Sequence, residues 1–175
     1  MFGLFSRSKG EKCAEELFVG LSYILSVEED SSIRGQQSVR AYLESIPGYD
    51  ESSFPELLPG VLLFALHDQL VRQFPSESDD VYGHLVQLVR ASFPAVAFSV
   101  HDALARAATD AMRERELRNE ESPLASVPYC VGKAMANLVS DTDRPDLAIF
   151  MAQHFLFYLE AAARLVSDVG KKYLG

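Results

Sequence analysis

The chain has 175 residues, of which 48% are hydrophobic and 23% charged. That balance excludes wholesale disorder and suits one domain, which at this length buries roughly 70% of the surface its unfolded chain exposes. A net charge of −9 argues against direct nucleic-acid binding, because neutralising phosphates needs a basic face.

The charge is unevenly placed. Residues 28–80 carry eleven acidic groups against Arg34, Arg40 and Arg72, so nearly all of the net charge lies in one third of the chain. The two cysteines, Cys13 and Cys130, stand among apolar neighbours without metal-site spacing and read as two buried thiols in a reducing compartment. Met1–Phe5 is apolar and the basic Arg7, Lys9 and Lys12 follow it, the reverse of a secretory signal. Phe2 is incompatible with N-myristoylation. The longest apolar run, near residues 61–66, is short of a membrane span. These features lead to the expectation of a cytoplasmic protein with no stable membrane insertion. Residues 1–10 are expected to be loosely packed, and residues 11–175 to form a single helical domain.

Helical periodicity dominates throughout. A first helix is expected over 11–28, with Cys13, Leu17, Phe18, Leu21, Ile24 and Leu25 as its apolar stripe. An acidic break at Glu28, Glu29 and Asp30 precedes a second helix over 33–46, with Ile33, Val39, Leu43 and Ile46 inward. Pro47-Gly48 stops it, and an acidic loop containing Asp50 and Glu51 follows. The segment from Leu57 to Phe74 is apolar on nearly every side, the mark of a central helix covered by others, with Pro55 or Pro59 in its first turn. The acidic turn Glu77, Asp79, Asp80 caps a fourth helix over 80–92. A fifth spans 95–119, a sixth 128–140, and a seventh runs from Pro145 to about Val169 with Gly170 as its stop. About seven helices with short links predict an all-α, single-domain bundle.

One local pattern occurs twice. His67-Asp68-Gln69-Leu70-Val71-Arg72 returns as His101-Asp102-Ala103-Leu104-Ala105-Arg106. The 34-residue offset matches a tetratricopeptide period, but that repeat's Trp, Leu-Gly and Tyr positions are absent. As structure, each copy places a carboxylate four residues before an arginine, an ordinary helix-surface ion pair. Each histidine also has apolar neighbours at helical spacing, as does His154. As chemistry, histidines and carboxylates from facing helices can hold a metal. Phe64-Ala65-Leu66-His67-Asp68 resembles the apolar lead into the His-Asp doublet of the HD superfamily of all-α metal phosphohydrolases. The resemblance implies a divalent metal held by a His, the doublet and a distant Asp. No histidine precedes His67, so the doublet would be His101-Asp102, with His67 or His84 before it and Asp141, Asp143 or Asp146 after it. The family's glycine two residues past the doublet is replaced by Leu70 or Leu104.

Other catalytic signatures are missing. There is no Gly-x-Ser-x-Gly elbow and no phosphate-binding glycine loop. Glu160 lies in an apolar stretch that suggests partial burial, with Arg164 as its partner. Phe150, Phe155, Phe157 and Tyr158 occupy several sides of the last helix, which suits either a buried helix or a core face plus an interface face. The second option allows a symmetric homodimer.

The expected function is therefore non-enzymatic, with no catalytic residue and no cofactor. A helical interaction or regulatory protein would bind a basic protein partner through Glu28, Glu29, Asp30, Asp50, Glu51, Glu77, Asp79 and Asp80. One alternative is a metal-dependent, HD-like hydrolase using His67, His84, His101 and Asp102. Another is a regulator that binds an apolar ligand near the last helix.

Overall fold

A computed structural model describes residues 7–29, 43–46, 53–93, 96–118, 126–140 and 144–175. These residues form six helices and no strand: α1 (Lys9–Glu29), α2 (Ser53–Gln73), α3 (Ser78–Ser92), α4 (Val96–Arg118), α5 (Val127–Val139) and α6 (Pro145–Tyr173). The fold is all-α, with six described helices against the seven expected. The missing one, over 33–46, lies mostly outside the described residues; its Leu43 and Ile46 are buried in the core. Asp30, Asp50 and Glu51, the metal candidates Asp141 and Asp143, and Met1–Phe5 also lie outside them.

The helix ends follow local chemistry. Ser8 Oγ accepts from the Glu11 amide at 3.0 Å, and the Glu11 carboxylate accepts from the Ser8 amide at 3.3 Å. This reciprocal capping box starts α1 two residues before the expected 11. Ser126 accepts from the Tyr129 amide and opens α5, with proline in its first turn. Pro55 falls in the first turn of α2 as expected, whereas Pro59 lies inside that helix.

α2 packs against all five other helices, which confirms its central place. Residues 57–66 are buried without interruption, so its sequence has no polar face there. α1 buries Cys13, Leu17 and Leu21, and α3 buries Val81, Leu85 and Val89, each at the spacing of one helical face. A single apolar cluster joins these to Leu104, Met135, Phe155 and Val166.

Two glycines set helix separations. A Cβ on Gly132 of α5 would lie 2.5–2.7 Å from the Ala152 amide, the Ala148 carbonyl and Ala152 Cα of α6. Gly170, expected to end the last helix, instead lies inside α6, where a Cβ would collide with the ring of Phe74. The residue is needed for close approach, not for termination, so α6 continues to Tyr173. There Lys172 Nζ and the Tyr173 hydroxyl both donate to Glu16 of α1, at 2.7 and 2.6 Å. Among the described residues, α6 is the one helix long and apolar enough to cross a membrane, and one side of it is core.

Candidate functional site

The two His-Asp segments converge. α2 supplies His67, α4 supplies His101, and α3 crosses beside them with Tyr82. The His67 and Tyr82 rings stack nearly parallel, with centroids 3.8 Å apart and planes at 11°. His101 lies 5.7 Å from each of them, centroid to centroid. Phe64 packs edge-on to His101 at 5.9 Å and stacks on Phe155 of α6 at 5.8 Å, which joins the cluster to the core.

His101 is buried, at 7% exposure. Such a ring needs partners for both nitrogens, and it has them. Nδ1 lies 3.2 Å from Asp102 Oδ1, and Nε2 lies 3.0 Å from the Tyr82 hydroxyl. An ionised Asp102 can only accept, so Nδ1 carries the proton and Nε2 accepts from the Tyr82 O–H. The order of donation is Tyr82 to His101 to Asp102. Burial, followed by the charge of Asp102, pushes the Tyr82 phenol up to about 12, so it stays a donor. Burial also holds His67 below the usual imidazole range. Neighbouring His101 adds to this, and Asp79 and Asp68 oppose it.

The two copies of the motif diverge at the carboxylate. Asp68 makes the expected bond with Arg72, whose Nε donates at 2.8 Å, and Gln69 donates to the same oxygen. Asp102 turns back to its neighbour His101 instead of forward to Arg106. A buried imidazole within reach offers Asp102 a less hydrated partner than an exposed guanidinium does.

The residues proposed for a metal do not assemble into one site. His84 turns to Asp80, 3.6 Å away on its own helix. Both nitrogens of His101 are engaged, and Asp102 is bonded to one of them. Among the described residues, no three of His, Cys, Asp and Glu are placed to share an ion. As placed, His67, His84, His101 and Asp102 are not gathered around one point, and Asp141 and Asp143 lie outside the described residues.

The remaining sequence candidates separate. Glu28 and Glu29 fall in the last turn of α1, with side chains outside the described residues. Asp79 and Asp80 are exposed in the first turn of α3, where negative charge also suits the helix dipole. Glu160 is exposed rather than partly buried and pairs with Arg164 as expected. His154 is half-buried and bonds the Phe150 carbonyl at 3.0 Å. Phe155 and Tyr158 are core, whereas Ile149, Leu156 and Phe157 are about half exposed on the outward side of α6. Sequence reasoning passed over Tyr82, although a tyrosine next to the core residue Val81 brings an apolar ring and a polar tip to the boundary of the core.

No known protein family, curated protein sequence or solved structure matches this chain.

Proposed function

We propose that this chain works by binding protein rather than by catalysis, and that the outward face of α6 is its docking element. The observation that carries this is the exposure of Ile149, Leu156 and Phe157 on a helix whose opposite side is core. Together these side chains present on the order of 300 Å², the size of a monomer's largest patch, which is often functional. The polar cluster supports the same reading, since both nitrogens of His101 are satisfied, by Tyr82 and Asp102, rather than aimed at a substrate.

The occupant that fits this face is a second copy of the chain. Exposed positions Asp146, Ile149, Gln153, Leu156 and Glu160 recur every three to four residues, which makes a straight seam along the helix. An antiparallel pair centred between Leu156 and Phe157 sets each of these against the other and Gln153 opposite Glu160. In that register Ile149 of one helix lies opposite Arg164 of the other, and Asp146 lies opposite Ser167, one turn short of the basic end at Lys171. Such a contact is isologous, as a two-fold dimer requires. Flanking surface must supply the rest of the ~800 Å² per subunit that a stable interface buries.

Light scattering and sedimentation across a range of concentrations test this. The wild type should form a dimer. Leu156→Glu and Phe157→Glu should be monomers with unchanged helical circular dichroism. A wild type that stays monomeric throughout would refute self-association through this face.

A second reading keeps the acidic 28–80 surface as the site for a basic partner. The exposure of Asp79 and Asp80 favours it. Titration with a lysine-rich peptide should give binding that weakens steeply with salt and drops in the Asp79→Asn/Asp80→Asn double variant. In both readings the chain is a single cytoplasmic helical domain.

A further inference from the structure

The His67–Tyr82–His101 cluster is the meeting point of α2, α3 and α4, and it is built from two titratable rings held close together. Among the described residues, its charged surroundings are few. Asp68 acts from the same helix as His67 and shares its charge with Arg72. Asp79 acts from α3, and His101 itself acts from α4. Asp102 contacts His101, and Arg90 acts on Tyr82 from further along α3. From α6 the cluster receives the apolar ring of Phe155, through Phe64.

One proton is easily accommodated. If it resides on His101, Nδ1–H still donates to Asp102, and Nε2–H donates to the Tyr82 oxygen, which exchanges its donor role for that of acceptor. A second proton is different. It would place two imidazolium charges 5.7 Å apart, centroid to centroid, in a half-dry setting with one carboxylate bonded to the pair. Stacking of a protonated His67 on the Tyr82 face returns part of this. Burial, joined by the neighbouring His101, favours the neutral form of His67 over the opposing charges of Asp79 and Asp68.

We propose that His67 and His101 form a proton-operated joint: the folded bundle holds the pair with at most one proton, and acquiring the second separates the His67–Tyr82 stack and loosens α3 from α2 and α4. In the unfolded chain, where nothing surrounds it but water, an imidazole has its ordinary value near 6.5, and the pair takes two protons. As pH falls below that value the unfolded state binds more protons than the folded state, so folding weakens. A deficit of one proton lowers the folding equilibrium constant about tenfold per pH unit.

The experiment combines histidine ring NMR, amide hydrogen exchange and urea unfolding of the full chain between pH 7.5 and 5. His67 and His101 should show coupled, displaced titrations. Protection in α3 should fall with acid before that in α5. His67→Phe keeps an aromatic ring against Tyr82 and removes one titrating group, so it should flatten the pH dependence of the folding constant. His84→Gln, on the Asp80 pair, should retain the wild-type slope. Ring NMR and exchange on the wild type decide the matter if His67→Phe does not fold. Independent titration of the two rings, with α3 protection constant from pH 7.5 to 5, would overturn the proposal, as would an unchanged slope in a folded His67→Phe.

Discussion

Replacing Gly132 by alanine should destabilise the bundle, while the same change at Gly83 should stabilise it. Both glycines are inside helices, where alanine is intrinsically better by about 1 kcal/mol. At Gly83 the new methyl group meets nothing within 4 Å, so that preference acts alone. At Gly132 the Cβ would lie 2.5 Å from the Ala152 amide nitrogen, well inside the 3.4 Å at which ordinary contact begins. The obstructing atoms are backbone atoms of α6, so no rotamer change relieves them. α5 and α6 must part by roughly 1 Å, a displacement whose overpacking cost lies at the upper end of about 1–3 kcal/mol. After the gain in propensity, the net loss is about 2 kcal/mol. For a chain of this size that lowers Tm by about 4–8 °C. Thermal and urea denaturation followed by circular dichroism measure both variants against wild type. Equal effects of the same sign at the two sites would refute the argument, because it depends entirely on the difference in packing.

Tyr82→Phe should cost about 1–3 kcal/mol in urea unfolding, since it leaves the buried Nε2 of His101 without its donor; a loss below 0.5 kcal/mol, roughly the noise of such measurements, would count against the hydrogen-bonded order given above. Glu16 is held below the usual carboxylate range first by its bond from Lys172 and then by Tyr173. Its contribution is therefore present above the unfolded value of 4.5 and disappears as pH falls through the lower native value. Glu16→Gln should accordingly speed amide exchange at the C-terminal end of α6 at neutral pH, with the difference from wild type vanishing in strong acid. Burial, then neighbouring Glu16, pushes the Cys13 thiol up to about 11, so alkylation at pH 8 followed by peptide mass analysis should modify the half-buried Cys130 first and reach Cys13 only on unfolding.

Much of the framework was legible because one side of each helix is repetitive. Cys13, Leu17 and Leu21, like Val81, Leu85 and Val89, advertise their burial by spacing alone. The continuous apolar character of residues 57–66 announced a helix with neighbours on every side. Errors arose where a residue serves a distant partner. Gly170 obeys the pattern of a helix stop and yet exists to admit Phe74. The Ser8–Glu11 box was readable as Ser-x-x-Glu, and the apolar stripe beginning at Cys13 drew the boundary inward. In the candidate site, the Asp68–Arg72 pair is a property of one helix and could be read directly. The Asp102–His101–Tyr82 chain depends on how α3 crosses the other two helices, which no single segment encodes. For the same reason the similarity of the two motifs pointed to the right helices but not to their different hydrogen bonding.

The attachment of α1 to α6 has a consequence for biogenesis. α1 packs against α3, and its Glu16 is clasped by residues at the far end of α6. Residues 30–144 separate the two helices in the chain, a stretch that a ribosome needs on the order of 6–23 s to add. During that interval Gly20 and the side of α1 that receives Leu165 have no partner, so a helix finished early must await the last one before its packing closes. Nascent chains of this protein should therefore pass through a sticky stage whose length is set by translation speed, and slow translation between α1 and α6 should increase their dependence on chaperones.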